Sequence, residues 1–166
     1  MQYDVARWAI ILKLTNTNLI IQYLYLMTFY EEYRNLFYYR IGFVSYLIKW
    51  LCPPMNTLFL RADEIGKGLF IQHGFATSVG AIKIGDNCWI NQVVTVGYTN
   101  GTDCPIIEDN VTISAGARVL GKIVVGKNSV VGANAVVIKN VPENCTVVGV
   151  PAYIVRRNGI KVNEKM

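Results

Sequence analysis

The most constraining feature of this 166-residue chain is a six-residue spacing of aliphatic side chains in its second half. The spacing starts at Ile65 and ends in an unbroken ladder of six members: Ile107, Ile113, Val119, Val125, Val131 and Val137. An amphipathic helix would return its apolar face every three or four residues, so this spacing argues against a helix. It predicts one short strand and one turn per repeat, with three repeats in each triangular coil of a parallel β-helix.

Two interruptions of this spacing indicate loops. One extra residue enters between Ile65 and Ile84, and five extra residues enter between Val96 and Ile107. We expect the second insertion, in the stretch GYTNGTDCP, to leave the coil as a loop, and loops on rigid scaffolds often carry function. The run of repeats is long enough for roughly four coils.

Residues 1–52 follow a different pattern, which predicts α-helices. Aromatic and leucine side chains recur there three and four residues apart. Pro53 and Pro54 end the helical pattern, because proline lacks an amide donor and clashes with the preceding turn. The sequence therefore divides into a helical region at 1–52, a linker at 53–64, a β-helix at 65–155 and a C-terminal tail at 156–166.

Composition narrows the possible classes of function. Apolar residues make up 52% of the chain and charged residues 16%, which excludes a disordered protein. The net charge of +5 is too small to indicate nucleic acid, but it suits an anionic small molecule or an acidic membrane surface. The four cysteines form no CxxC pair, and the first residues lack the pattern of a signal peptide. We therefore expect reduced thiols and a cytoplasmic protein.

Five features together resemble serine acetyltransferases. They are YRIG at 39–42, IGKGLFIQH at 65–73, the six-residue repeats, SAGARVLG at 114–121 and GVPAYIV at 149–155. The resemblance covers Tyr39 to about Val155. It implies a left-handed parallel β-helix acyltransferase that forms a homotrimer, and such trimers can pair further. It also implies that acetyl-CoA, the acetyl donor, lies in the groove between two adjacent prisms.

The resemblance assigns a catalytic residue and three residues beside the coenzyme. His73, the only histidine, falls on the family's catalytic histidine. Gly97, Ala115 and Ala133 fall on small residues beside which the pantetheine and nucleotide arms run. A hydroxyl is a poor nucleophile at neutral pH, and a histidine base typically contributes about 10²–10⁴-fold. Turns of any such coil also favour small residues, so a purely structural role for these three small residues stays open.

The chain departs from the family at residues that serve the amino-acid acceptor. Leu58 stands where the family has the aspartate that orients the histidine, and Asp103 and Cys104 stand in place of an arginine and a second histidine. Asp63, Glu64 or a backbone carbonyl is the candidate to hold the ring in place of the missing aspartate, and the sequence does not decide between them. An anion at position 103 would repel the carboxylate of serine. We therefore expect a different hydroxyl acceptor, with a sugar of a surface polysaccharide favoured and serine as the alternative.

Three further residues are candidates for the acceptor pocket. Gln72 precedes His73, where the family has aspartate. Gln92 lies 19 residues after His73, one coil further on, so it is either a neighbour of the imidazole or simply an outward polar residue. Cys104 is expected to line the pocket, and an acyl-carrying role for its thiolate is disfavoured because no base is adjacent.

Two alternatives to an acetyltransferase, and two roles for the N-terminal helices, remain at this point. A zinc hydratase on the same coil needs three histidines per metal, and the chain has one, so no metal is expected. A non-catalytic structural or binding solenoid is the other alternative to an acetyltransferase. The aromatic N-terminal helices fit peripheral membrane contact or packing against the first coil, and Glu31 and Glu32 favour packing because they interrupt a basic helix face.

Overall fold

The computed structural model describes all 166 residues, and residues 58–148 wind into a parallel β-helix. Each of the first ten strands pairs in parallel with the third strand after it, which gives the prism three faces. The first face holds β1 (Leu58–Leu60), β4 (Thr77–Val79), β7 (Thr95–Gly97), β10 (Arg118–Leu120) and β13 (Val136–Val137). The second face holds β2 (Glu64–Ile65), β5 (Lys83–Ile84), β8 (Ile106–Ile107) and β11 (Val124–Val125). The third face holds β3 (Phe70–Ile71), β6 (Trp89–Ile90), β9 (Thr112–Ile113), β12 (Val130–Val131) and β14 (Cys145–Val148). On the last turn the second face has only the bridge between Val125 and Val141, so β12 pairs with β14.

The interior of the prism consists of stacked aliphatic side chains, one stack for each face. Every residue of the predicted ladder lies in a strand and is at most 5% exposed. Val79, Val96 and Val119 stack in register on the first face. Small residues such as Ala117 and Ser129 are fully buried where the chain turns. The predicted parallel β-helix behind a helical N-terminal segment is confirmed.

The β-helix begins earlier than the sequence pattern indicated. Residues 58–60 of β1 pair with residues 77–79 of β4, so the predicted linker at 53–64 contains the first strand. The first face therefore has five strands, and the prism has five turns rather than roughly four. The pattern missed β1 because Leu60 and Ile65 are five residues apart, one fewer than the regular repeat.

The predicted tail at 156–166 is part of a β-hairpin, which corrects that boundary. Strand β15 (Tyr153–Arg157) pairs antiparallel with β14, and β16 (Ile160–Lys165) pairs antiparallel with β15. The hairpin turns at Asn158 and Gly159, which have φ values of 48° and 79°. An Asn-Gly pair suits two consecutive residues with positive φ, so the sequence did contain the signal for this turn.

Three α-helices precede the prism, as predicted for the N-terminal region. They are α1 (Gln2–Ile11), α2 (Leu19–Phe29) and α3 (Glu31–Ile41), followed by a 3₁₀ helix at Gly42–Leu47. The last α-helix ends before the two prolines, because Gly42 adopts a φ of +56°. No helix combines the length and the apolar character that a transmembrane span requires.

The helices pack against the first turn of the prism. The fully buried Trp8 donates its Nε1 hydrogen to the carbonyl oxygen of Leu69 at 2.8 Å and packs on the ring of Phe70. Asp4, which is 2% exposed, accepts from the amide of Gly68 at 2.6 Å and pairs with Arg40 at 3.2 Å. The helical region thus covers one end of the β-helix. Apolar side chains of residues 43–51 remain exposed, and peripheral membrane contact stays a prediction.

Candidate active site

His73 lies in a corner that is two residues longer than the equivalent corners of the other turns. Ile71 and Val79 are eight residues apart, whereas Ile90 and Val96, their partners on the next turn, are six apart. The carbonyl oxygen of Phe75 accepts from the amide of Val93, and on the next turn the carbonyl oxygen of Gln92 accepts from the amide of Gly116. Phe75 therefore occupies the position of Gln92 in the coil, and the extra residues are His73 and Gly74. The chain therefore leaves the regular coil at His73.

This insertion corrects the spacing argument made from the sequence. The single extra residue between Ile65 and Ile84 is the sum of the two-residue insertion and a deletion of one residue between Val79 and Ile84. In the register of the coil, the residue equivalent to Gln92 is Phe75 and not His73. Gln92 thus lies on the same corner one turn further on, without standing directly above the histidine.

His73 projects from the corner with its side chain exposed. Its backbone has a φ of 64°, and Gly74 follows with a φ of 45°. Non-glycine residues rarely adopt this region, and such strain is common where a side chain must take a special position. The imidazole has no hydrogen-bond partner within the chain, so both ring nitrogens are available to a substrate or to a neighbouring group.

Gln72 is held in place by the next turn of the coil. Its Oε1 accepts from Nε1 of Trp89 at 3.2 Å and from Nδ2 of Asn91 at 3.5 Å. Both donors lie on the outside of the turn that follows. Gln72 therefore fixes the start of the corner that carries His73, and its side-chain oxygen is already occupied.

Gln92 has an unusual side-chain environment. Its Oε1 is buried and has no hydrogen-bond partner in the chain. The following residue, Val93, adopts a φ of 60°, and the equivalent positions on the next two turns are Gly116 and Asn134. A β-branched residue is disfavoured in this conformation, so the corner stores strain beside an unsatisfied carbonyl oxygen.

The three predicted coenzyme-binding residues border the first face. Ala115 follows Gln92 by one turn at the same corner, and Ala133 follows Ala115 by another turn. Gly97 ends β7 at the opposite edge of that face, in register with Leu120. A Cβ atom at Gly97 would have no atom of this chain within 4 Å, so packing within the chain does not require glycine there.

Arg118 supplies a cation to the same face. Its Nη1 donates to the carbonyl oxygen of Val93 at 3.0 Å and to Oγ1 of Thr95 at 3.2 Å. The side chain is half-buried and forms no salt bridge. It therefore ties the corner of Gln92 and Val93 to the middle of the first face and leaves a positive charge there.

The loop between β7 and β8 is organised by its own side chains. The carboxylate of Asp103 accepts from the amides of Thr99 and Asn100, both at 2.8 Å, and from the hydroxyl of Thr99. These hydrogen bonds hold the pKa of Asp103 below its ordinary value, and the one from the hydroxyl has the largest effect. The carboxylate is thus held inside its own loop and is kept in its anionic form.

The predicted pocket residue Cys104 has a buried side chain, and its place in an acceptor pocket stays a prediction. The residue is 4% exposed, and the hydrogen bond between Cys104 and the hydroxyl of Tyr98 raises the pKa of that tyrosine. The ring of Tyr98 lies 3.4 Å from the position that a Cβ of Gly80 would take. Tyr98, which the sequence did not single out, is therefore the side chain of this loop that covers the edge of the first face.

Neither Asp63 nor Glu64 replaces the aspartate that is missing at Leu58. Asp63 precedes β2 and Glu64 begins it, so both belong to the second face. Glu64 forms a salt bridge with Lys83 at 3.5 Å. Leu58 itself is buried, and its Cδ2 lies 3.2 Å from the position that a Cβ of Gly74 would take. The position beside the histidine corner is thus apolar on the β1 side.

The site lies on an open surface of the single chain. Two cavities, of about 600 and 580 Å³, lie at the C-terminal hairpin and beside the 3₁₀ helix, and His73 lines neither. The His, Cys, Asp and Glu side chains form no cluster of three that would hold a metal ion. His73 and the first face together can bind a ligand that lies along the prism.

Comparison with known proteins gives the same relatives as the motifs. The model of the bacterial transferase hexapeptide (six repeats) family matches residues 104–139. The serine acetyltransferase of Staphylococcus aureus is 48% identical over 105 residues, which are 61% of this chain and 49% of the relative. The chain thus spans about half the length of the curated relatives it matches.

Solved structures agree on the fold. The serine acetyltransferase of Brucella abortus in complex with coenzyme A is 42% identical with a TM-score of 0.53, covering 58% of this chain and 40% of that one. The Neisseria gonorrhoeae serine acetyltransferase in complex with serine is 42% identical with a TM-score of 0.52, covering 55% of this chain and 38% of that one. The resemblance to serine acetyltransferases is therefore confirmed.

Proposed function

We propose that the chain is an acetyl-CoA-dependent O-acetyltransferase, with L-serine as the first candidate acceptor. The observation that carries the proposal is the single imidazole, His73, exposed on a corner that two extra residues extend out of the coil. The relatives are named serine acetyltransferases, and solved ones are complexes with coenzyme A and with serine. These names support acetyl-CoA as the donor and L-serine as the acceptor.

In this reaction His73 acts as the general base. It takes the proton of the acceptor hydroxyl as the oxygen attacks the thioester carbonyl, and the proton then passes to the departing sulfur of coenzyme A. The products are the O-acetyl ester and the free thiol. No covalent enzyme intermediate is required, which agrees with the burial of Cys104 and Cys88.

The donor lies along the first face in this proposal. Gly97, Ala115 and Ala133 leave backbone groups accessible, since small side chains permit close approach of the pantetheine arm. Arg118 adds a positive charge beside a ligand that carries phosphates. The open space at Gly97 supports this assignment, because the chain itself does not fill it.

We infer that the working form is a homotrimer. In one chain His73 faces an open surface, whereas a groove between two prisms would cover the imidazole and the first face together. Exclusion of water from such a groove would strengthen the hydrogen bonds to the thioester oxygen. Trimerisation is therefore part of the proposed site and not an addition to it.

The names of the similar proteins decide the order of the two acceptors. The preference for a sugar depended on Asp103 as an anion in the pocket, and the hydrogen bonds that its oxygens accept inside the loop leave that charge in place. Serine nevertheless comes first, because the relatives are named serine acetyltransferases and one solved relative is a complex with serine. A sugar hydroxyl remains the second candidate, because residues 98–105 contain no basic side chain that would pair with the carboxylate of serine.

An acceptor screen tests the proposal. Release of free thiol from acetyl-CoA is measured with L-serine, with L-serinamide, which lacks the carboxylate, and with a panel of nucleotide sugars. Saturable turnover with serine and weak turnover with serinamide would support the first candidate. Efficient turnover of a sugar alone would select the second, and no turnover with any acceptor together with no coenzyme A binding would favour a non-catalytic solenoid.

A further inference from the structure

The corner that carries His73 is approached from α3 by the side chain of Glu32. A Cβ atom at Gly74 would lie 2.7 Å from Cγ of Glu32, 3.2 Å from Cγ2 of Ile71 and 3.2 Å from Cδ2 of Leu58. Glu32 is the only one of these three side chains that ionises. It therefore approaches the corner at the residue directly after His73.

Glu32 has no partner that would explain its position. It is half-buried, it forms no salt bridge, and no hydrogen bond engages its carboxylate. Its carboxylate oxygens keep contact with solvent, so they are free to accept a hydrogen bond from a group that reaches them. His73, the residue next to Gly74, carries an imidazole that is equally unpartnered.

The reach of the two side chains permits a hydrogen bond. Adjacent Cα atoms lie about 3.8 Å apart, so Cγ of Glu32 lies no more than about 8 Å from the Cα atom of His73. A histidine side chain, a hydrogen bond and a carboxyl group placed end to end span about that distance. His73 is exposed, and no hydrogen bond within the chain holds its ring.

We propose that Glu32 is the positioning residue of His73, its carboxylate accepting a hydrogen bond from one imidazole nitrogen while the other nitrogen faces the acceptor hydroxyl. A carboxylate in this role fixes the tautomer and orientation of the ring and stabilises the imidazolium that forms during proton transfer. This proposal rests on the proposed function for its catalytic meaning. The pairing itself is a structural claim that stands apart from the reaction.

A structural role for Glu32 is the competing explanation. Glu31 and Glu32 both lie in the first turn of α3, where acidic side chains interact favourably with the helix dipole. Glu31 is exposed and does not contact Gly74, so Glu31→Gln is a matched control that removes the same charge from the same helical turn. An effect that is confined to Glu32→Gln cannot come from the helix terminus.

The experiment uses the fact that the chain has one histidine. The imidazole carbon-bound protons are titrated by NMR in the wild type, Glu32→Gln and Glu31→Gln. Because a nearby anion stabilises the imidazolium, we expect the pKa of His73 to fall in Glu32→Gln and to stay unchanged in Glu31→Gln. In turnover assays we expect kcat to fall about 10- to 100-fold in Glu32→Gln alone, with KM for acetyl-CoA unchanged and partial recovery in Glu32→Asp.

The two readouts separate the two claims. Identical imidazole titrations in the wild type and Glu32→Gln would overturn the positioning role, whatever the turnover of the enzyme. Equal loss of kcat in Glu31→Gln and Glu32→Gln would also overturn it, since both changes then act through the helix terminus. A wild-type protein without any acetyl transfer would overturn the proposed function, while the titration would still decide whether Glu32 holds the ring.

Discussion

At the scale of single residues, the site is built from side chains that the β-helix itself does not need. His73 and Gly74 are additions to a corner that closes without them elsewhere in the coil. Gly97 leaves open space that packing does not fill. Residues that serve the fold, such as Ile113, are fully buried and interchangeable in type along the ladder. Function is therefore tested best at positions where substitution leaves the core untouched.

Gly97→Ala separates coenzyme binding from stability. A methyl group at this position meets no atom of the chain, so we expect the free energy of unfolding to change by less than about 1 kcal/mol. We expect KM for acetyl-CoA to rise roughly tenfold, which is about 1.4 kcal/mol of binding. Urea unfolding and steady-state kinetics measure the two quantities, and an unchanged KM would remove Gly97 from the proposed binding face.

The thiols provide a second test at this scale. Burial raises the pKa of Cys88 to about 11 and raises that of Cys145, and Cys104 is 4% exposed. The thiolate is the reactive form, so at pH 8 these thiols should react slowly, and only the half-buried Cys52 should react readily. Ellman's reagent should therefore count one fast thiol per folded chain and four in guanidinium chloride. A fast reaction of Cys104 would show that its loop opens.

At the scale of elements, the regular repeat was predictable because each buried position is fixed by the period. Every predicted ladder residue is buried, since each repeat of a three-faced coil turns one large aliphatic side chain inward beside a small one. Departures from the period were harder to locate. The distance from Ile65 to Ile84 contains an insertion of two residues and a deletion of one. Their sum is a single extra residue, so neither change was visible. The eight-residue gap from Ile71 to Val79 was the signal that would have revealed the histidine corner.

Contacts between distant segments were not visible in the sequence. Asp103 was read as a free anion, because nothing in the chain order shows that the amides of Thr99 and Asn100 fold back onto it. Glu32 was read only as an interruption of a basic helix face, and its approach to Gly74 depends on how α3 packs against β1 and β3. The position of His73 followed from the motif, whereas its neighbours required the fold.

Removal of His73 and Gly74 together tests whether the corner is a separable element. The deletion gives a corner of regular length, in which Phe75 and Ala76 take the places that Gln92 and Val93 occupy on the next turn. We expect the variant to fold with a free energy of unfolding within about 2 kcal/mol of the wild type, and to lose acetyl transfer. Circular dichroism and the thiol-release assay measure both. A variant that cannot fold would mean that the insertion supports the coil.

At the scale of the whole molecule, the helical region and the prism form one unit. Trp8 and Asp4 from α1 reach the backbone of the first turn, and Arg40 from α3 donates to the carbonyl oxygens of Ile65 and Gly66. The same α3 carries Glu32 to the histidine corner. The helices therefore close the end of the prism and contribute to the candidate site.

Asp4→Ala tests this connection. The change leaves the guanidinium of Arg40 and the amide of Gly68 without their partner in a buried setting, and we expect a loss of about 3–5 kcal/mol in the free energy of unfolding. Lys127→Ala, which breaks the more exposed pair with Asp109, should cost less than about 1 kcal/mol. Urea titrations of the two variants measure the contrast, and equal small losses would show that Asp4 does not hold the helices to the prism.

The most direct test of the account is the rate of thiol release from acetyl-CoA by His73→Ala, measured on the same preparation whose oligomeric mass is determined by light scattering. We expect the proposed trimer to persist, because the imidazole has no structural partner within the chain. We expect the rate to fall by about 10²–10⁴-fold, since the proposed general base is gone. Turnover by an intact His73→Ala trimer within a factor of two of the wild type would contradict the assignment of this histidine as the base.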